Sequence, residues 1–397
     1  MKRKATFSPA RLNYAWVILV VVYLASVVAP FIQFKIPPIM PVLMETFQID
    51  LTQAGLFMSI IAAIGLVLAI PAGIILQQLG SKTTIMTALG IMATGAMAGA
   101  LSSNYVFLLG SRVLEGIGMG LISVAAPATI AMWFPPEKQG TPMGIWATWV
   151  PVGSVTIYNL APLLVSPFGW QSVWWLGTGF AVVMMVFSGI LITRPPSQDP
   201  VGTQPQAEPN LSQAFSNRSI WFLALEFACM NLATIALGTY YPTFLNQVRG
   251  YPIGQAAFVA SVTTIVVLFS APAAGLLSDR IGSRRLVFSL PFLGVAVLFI
   301  FPFRVTGWEI IVVMIVQGLI VGAIPTATFA AASEVMGKPQ LASLGLAIVL
   351  AGQYLGQLVG PVLFGEFVQG MGWTTAGYLM IPFCLLGFVS AWMVKIR

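Results

Sequence analysis

Residues 275–286 read GLLSDRIGSRRL, and residues 73–82 read GIILQQLGSK. At an offset of 202 (275 − 73), Gly73 falls on Gly275, Gly80 on Gly282, Ser81 on Ser283 and Lys82 on Arg284. The same offset carries Glu115-Gly116 onto Gln317-Gly318, and Gly120 onto Gly322. Two separate elements sharing one offset mark the chain as two parallel repeats. Between apolar spans, such repeats place a substrate site at their interface near the bilayer midplane, with access alternating as one half rocks on the other.

Around these stretches the chain is almost wholly apolar. Of its 397 residues, 58% are hydrophobic and 7% charged, and the mean hydropathy is +0.92. A soluble domain carries roughly 25% charged residues, so a water-soluble enzyme, a disordered chain and a disulfide scaffold are excluded. Runs long enough to cross a bilayer lie near 14–44, 52–76, 83–102, 106–131, 141–165 and 171–192. Six more lie near 219–245, 255–278, 286–305, 308–333, 341–367 and 374–395. Each is close to the roughly 20 apolar residues a spanning helix needs, and none shows the ten-residue alternation of a membrane barrel. The reading is all-α: twelve transmembrane helices in two pseudo-symmetric six-helix bundles, 1–192 and 218–397. The first span is expected to end in partly extended chain around Ile36-Pro37-Pro38.

The Pro-, Gln- and Ser-rich segment 193–217 reads as a linker between the bundles. With the N-terminus inside, 14 of the 18 Lys and Arg fall on cytoplasmic segments, which places both termini and the linker in the cytoplasm. The basic start (Lys2, Arg3, Lys4, Arg11) precedes an apolar run too long for a signal-peptide core, and this run is expected to be the first span, retained. The net charge of +7 is scattered between apolar runs, which argues against a nucleic-acid partner. Cys229 and Cys384 have no metal-ligand spacing, and the chain has no histidine, so no metal or cofactor is expected.

GLLSDRIGSRRL resembles the signature loop of the major facilitator superfamily, GxLaDrxGrkxxl, through Gly275, Asp279, Arg280, Gly282, Arg284 and Arg285. In the first half Gln77 and Gln78 stand in for the Asp-Arg pair. A second superfamily pattern, RxxxGxGxG in span 4, is met by Arg112, Gly116, Gly118 and Gly120. The stretch WFPPEKQGTPMGIWATWVPVG (133–153), with Pro162 and Gly169-Trp170 beyond it, is similar to the anion–cation symporter and cyanate-permease branches. The drug-exporter motif GxxxGPxxGG and the sugar-porter linker are missing. The resemblance implies an alternating-access transporter of the cytoplasmic membrane, a monomer with the lipid bilayer as its surroundings. Asp279, Arg280, Gly282 and Arg284 then form a gating loop rather than a substrate site.

Polar side chains within spans are expensive and are candidate functional groups. Lys35 in span 1 is either a cationic anchor for an anionic substrate or an ammonium snorkelling to the interface; Gln33 lies two residues away. Arg112 and Glu115, three apart on one face of span 4, can bind a carboxylate or pair with each other. Glu115 and Glu226 are candidate proton carriers, and Glu366 is nearer an interface. Trp146, Trp149, Asn231, Tyr240, Gln317, Gln353 and Gln357 complete the expected substrate contacts, or else hydrogen-bond between helices. Asn159, Tyr241 and Tyr354 belong to the same polar set. Lys35, Arg112 and the span-5 resemblance favour a small organic anion, such as a carboxylate, moved by proton symport or exchange. The alternative is a lipophilic or cationic solute moved by efflux. No nucleotide-binding motif supports ATP-driven transport, and neither a receptor nor an enzyme has a motif of its own.

Overall fold

The computed structural model describes residues 9–69, 71–135, 138–193, 216–281, 283–337 and 339–395. Among these the chain is helical throughout and has no strand. The first half runs through α1 (Pro9–Gln33), a 3-10 turn (Pro37–Ile39), α2 (Met40–Phe47), α3 (Leu51–Leu68), α4 (Pro71–Leu79) and α5 (Ser81–Ala100). It continues with α6 (Tyr105–Trp133), α7 (Gly140–Trp146), α8 (Trp149–Phe168) and α9 (Gln171–Leu191). The second half holds α10 (Arg218–Gln247), α11 (Ile253–Ile281), α12 (Arg284–Leu298), α13 (Trp308–Val321), α14 (Ala323–Met336), α15 (Pro339–Met371), α16 (Trp373–Leu379) and α17 (Ile381–Met393). The expected linker falls almost entirely on 194–215, outside the described residues.

Five of the expected spans are broken, and a proline stands at each break. Proline has no N–H to donate to the carbonyl four residues earlier. Pro37, Pro71, Pro151, Pro325 and Pro382 would serve Gln33, Val67, Ala147, Val321 and Tyr378, and helices end at or within a residue or so of each. The missing donor is not sufficient on its own, because eight other prolines lie inside helices.

Eleven stretches are long and apolar enough to cross a membrane among the described residues. The twelfth expected span, 286–305, is met by α12, whose 15 residues reach about 22 Å at 1.5 Å per residue. Turns linking Phe301 to Leu298 and Arg304 to Phe301 carry the chain onward.

The repeat offset reappears in the packing. A Cβ added at Gly116 would meet Ile61 and Ile64 of α3, and one at Gly318 would meet Thr263 and Val266 of α11. Gly120 likewise faces Leu68, and Gly322 faces Ser270. All three contact pairs are related by 202, so the first-half span 2–span 4 contact is built again as span 8–span 10. Small residues there let the helix backbones approach closely.

The two halves meet along two seams, α3 against α15 and α8 against α11. Tyr14 at the start of α1 donates to the Leu191 carbonyl at the end of α9, at 2.9 Å. At the other end of the chain, the Lys395 N–H donates to Ser219 at the start of α10. These contacts define a terminal face; the turns at 48–50 and Gly372 lie on the distal face. The α3–α15 seam is polar at its distal end. There Gln369 donates to Thr52 at 2.9 Å, and Thr52 donates to Glu366 at 3.2 Å.

Candidate functional site: a buried charge cluster and its surroundings

The break after α1 creates the centre of the site. Helix termination leaves the Ile32 and Gln33 carbonyls without their usual N–H partners, and Pro37 has none to give Gln33. Arg112, on α6, fills both places: Nη1 donates to Ile32 O at 2.9 Å and Nη2 to Gln33 O at 2.8 Å. Its Nε donates to Phe57 O of α3 at 3.2 Å. One guanidinium therefore fastens span 1 and span 2 to span 4.

One turn along α6, Glu115 takes two cations. Its Oε2 accepts from Arg112 Nη1 at 2.6 Å, and its Oε1 accepts from Lys35 Nζ at 2.6 Å. Lys35 lies in the turn that follows α1, and its ammonium sits 4.2 Å from the centroid of the Trp174 ring on α9. That cation–π contact gives the ammonium a second favourable face. All three side chains are shut away from solvent. Two cations share one carboxylate, so the cluster carries a formal charge of +1. Gly95 and Gly99 of α5 make the room, because a Cβ at Gly95 would stand 3.0 Å from Glu115 Cγ and one at Gly99 2.8 Å from Ser111 Oγ.

Among the described residues the second half has no such cluster. At the offset of 202, Lys35, Arg112 and Glu115 correspond to Leu237, Met314 and Gln317. Gln317 is buried, and its Oε1 has no hydrogen-bond partner among the described residues.

The other expected substrate residues form separate groups. Gln33 is buried beside the cluster and contributes its backbone carbonyl. Trp146 and Trp149 are stacked at 5.5 Å, with Trp146 donating to Ser26 at 3.0 Å. Gln357 donates to Asn231 Oδ1 at 3.2 Å, and its own Oε1 has no partner among the described residues. Gln353 is half-buried one turn away. Tyr240 is fully buried, with its hydroxyl between the carbonyls of Leu51 and Pro361. Asn159 donates to Ser261 across the α8–α11 seam. Of the expected proton carriers, Glu226 on α10 accepts from Thr328 at 2.6 Å through Oε1, while Oε2 has no partner among the described residues.

Of the expected gating loop, Gly282 and the Asp279 side chain lie outside the description. Arg280 is exposed. Arg284 pairs with Glu334 on α14 at 2.7 Å, and Arg285 stacks 4.4 Å from the Trp392 centroid on α17. The first-half counterpart Lys82 donates to the Gly189 carbonyl of α9 at 2.6 Å.

Two residues important to the geometry escaped the sequence reading. Trp174 looked like any aromatic of an apolar span, and Tyr158 like packing. The Lys35–Glu115 partnership spans 80 residues and has no local signal. A recess of about 670 Å³ lined by Trp16, Val20, Leu24, Val183 and Phe187 lies apart from the cluster, on the outer face of α1 and α9.

Compared with known proteins, the chain matches the family model of the Major Facilitator Superfamily over residues 22–343 and again over 252–397. It is 22% identical over 391 residues to the "Hexuronate transporter" of Bacillus subtilis (strain 168), covering 93% of this chain and 89% of that one. It is 24% identical over 229 residues to the "Probable nitrate/nitrite antiporter NarK1" of Thermus thermophilus, covering 55% of this chain and about half (51%) of the relative. Among solved structures, an inward-facing, unoccupied bacterial homologue of the human lysosomal transporter Spinster superposes with a TM-score of 0.85. That match is 16% identical and covers 98% of both chains.

Proposed function

The chain belongs to the Major Facilitator Superfamily and is a multi-span membrane transporter, and we propose that within that class it carries a small organic anion, of the carboxylate type, by alternating access. The observation that carries this reading is the excess positive charge of the Lys35–Arg112–Glu115 cluster. A buried charge without full compensation is costly, and an anion arriving beside the cluster supplies what Glu115 alone does not. The names of the relatives, a hexuronate transporter and a nitrate/nitrite antiporter, point the same way.

Substrate contacts beyond the cluster fall to Gln33 and the Trp146–Trp149 pair in the first half, and to Asn231, Gln317, Gln353 and Gln357 in the second. Within this reading Glu226, with one oxygen unpartnered among the described residues, is the carboxyl that takes a coupling proton. Glu115 is the carboxyl held by cations. Arg280 and Arg284 act in the loop that gates the terminal face, and the bias of Lys and Arg toward that face sets it in the cytoplasm.

A thermal-shift screen of the purified protein tests the cargo. A ligand that binds only the folded form at a hundredfold excess over its Kd adds about 2.7 kcal/mol. Glucuronate and other carboxylates should raise the melting temperature while tetraalkylammonium ions leave it unchanged. Stabilisation by lipophilic cations alone would reverse the assignment and put the stacked tryptophans in first place.

A further inference from the structure

One turn of α10 touches both seams between the halves. From the first half, the Tyr158 hydroxyl on α8 donates to the Gly238 carbonyl at 2.9 Å. Two residues on, the Tyr240 hydroxyl lies 2.7 Å from the Leu51 carbonyl of α3 and 2.8 Å from the Pro361 carbonyl of α15. The two tyrosines cross the interface in opposite directions, and both contacts end on the segment Gly238–Tyr240.

The seat of Tyr240 is built for a hydroxyl. Leu51 and Pro361 stand four residues before Gly55 and Gly365, so each carbonyl is also the helical acceptor of a glycine N–H. A carbonyl has two lone pairs, which leaves one for the phenol. A Cβ at Gly365 would stand 2.6 Å from the Tyr240 hydroxyl and 3.0 Å from Leu51 O. A Cβ at Gly55 would run into the same hydroxyl and lie 2.9 Å from Pro361 O. The paired glycines admit the hydroxyl and let α3 approach α15. The ring is held by Phe364, stacked at 5.5 Å, and by Trp373 at 6.5 Å, both from the second half.

The phenol has one proton for two carbonyls, and the two carbonyls belong to different halves. When the halves part, the Leu51 contact is lost but Pro361 travels with Tyr240. The hydroxyl is then never stranded, and opening escapes the penalty of an unsatisfied buried donor. A contact that seals well and releases without that penalty is a latch rather than a weld.

We propose that the Gly238–Tyr240 turn is the pin of a distal gate, and that through it the two seams open together. The proposal requires alternating access but not the anion reading, so either can fail alone.

Ser261 supplies the reporter. It is 1% exposed, bonds Asn159 across the α8–α11 seam at 3.2 Å, and touches neither tyrosine in the hydrogen-bond network. In detergent-purified protein, the rate at which Ser261→Cys reacts with a charged maleimide reads the opening of that seam. The parent protein, whose Cys229 and Cys384 are buried, gives the background. Losing the Tyr158–Gly238 bond, which breaks outright when the halves part, should raise the open population, and hence the labelling rate at 261, roughly fivefold to tenfold in Tyr158→Phe. Tyr240→Phe, acting from the α3–α15 seam, removes only the Leu51 share of a proton that Pro361 keeps in the open state, and should raise the rate about twofold to threefold. Gly365→Ala displaces the hydroxyl without removing it, so it gives the same answer should Tyr240→Phe fail to fold. If Tyr158→Phe raises the rate but folded Tyr240→Phe or Gly365→Ala leaves it unchanged, the seams are independent and the pin is wrong. If none of the variants changes it, there is no latch at this turn.

Discussion

Arg112 donates to three backbone carbonyls and a carboxylate, whereas Lys35 donates to the carboxylate and turns its remaining surface to the Trp174 ring. Removing each charge should therefore fail differently. Arg112→Gln strips donors from spans 1 and 2 and leaves Glu115 half-paired; breaking a buried ion pair typically costs about 3–5 kcal/mol. Its melting temperature in detergent should fall sharply. Lys35→Gln keeps the Arg112–Glu115 pair and removes only the excess charge. It should stay folded and bind the stabilising carboxylate roughly tenfold to a hundredfold more weakly, the value of a charge-assisted contact of about 1.5–3 kcal/mol. Isothermal titration of both variants separates the two outcomes, and unchanged affinity in Lys35→Gln would remove the anion anchor. The pairing of Arg112 with Glu115 was legible because residues three apart on a helix share a face. The arrival of Lys35 was not, since it depends on how span 1 breaks and lies against span 4.

The breaks themselves follow from backbone chemistry, and Ile36-Pro37-Pro38 announced the first of them. The other four stayed hidden in apolar runs, because hydropathy measures length and does not see a missing N–H. The glycines of span 4 were legible as a pattern, and the packing of their partners shows what the pattern does. A Cβ at Gly318 would lie 2.6 Å from the Thr263 carbonyl oxygen, a backbone atom that cannot swing aside. Gly110, on the same kind of helix in the first half, has nothing within 4 Å of that position. Gly318→Ala should accordingly cost about 1–3 kcal/mol, the usual range for overpacking. Gly110→Ala should be neutral or stabilise by up to about 1 kcal/mol through helix propensity. Thermal unfolding of the two variants side by side checks this, and equal effects would show that the close approach of span 10 to span 8 is not required.

For the molecule as a whole, the topology rests on charge bias, and it has a direct test. Thr46 is exposed on the distal face and Gln78 on the terminal face. An impermeant thiol reagent should label Thr46→Cys in intact cells and Gln78→Cys only once the membrane is opened; the reverse would invert the orientation. The six-plus-six plan was readable from run lengths and the single offset, because both are one-dimensional properties of the chain. The meeting of the halves through Tyr158 and Tyr240 was not, since those contacts join residues 80 and 189 positions apart. One consequence of the lopsided pair of halves is electrical. The first half holds a formal +1 and the second holds Leu237, Met314 and Gln317 at the matching places. On the anion reading, and with Glu226 protonated, a carrier loaded with a monovalent anion would be neutral at its centre, while the empty carrier would return charged. The membrane voltage, worth about 2.3 kcal/mol per charge for each 100 mV fully traversed, would then act on the empty return step and not on the loaded one, so the resting potential would set the direction in which the unloaded carrier waits.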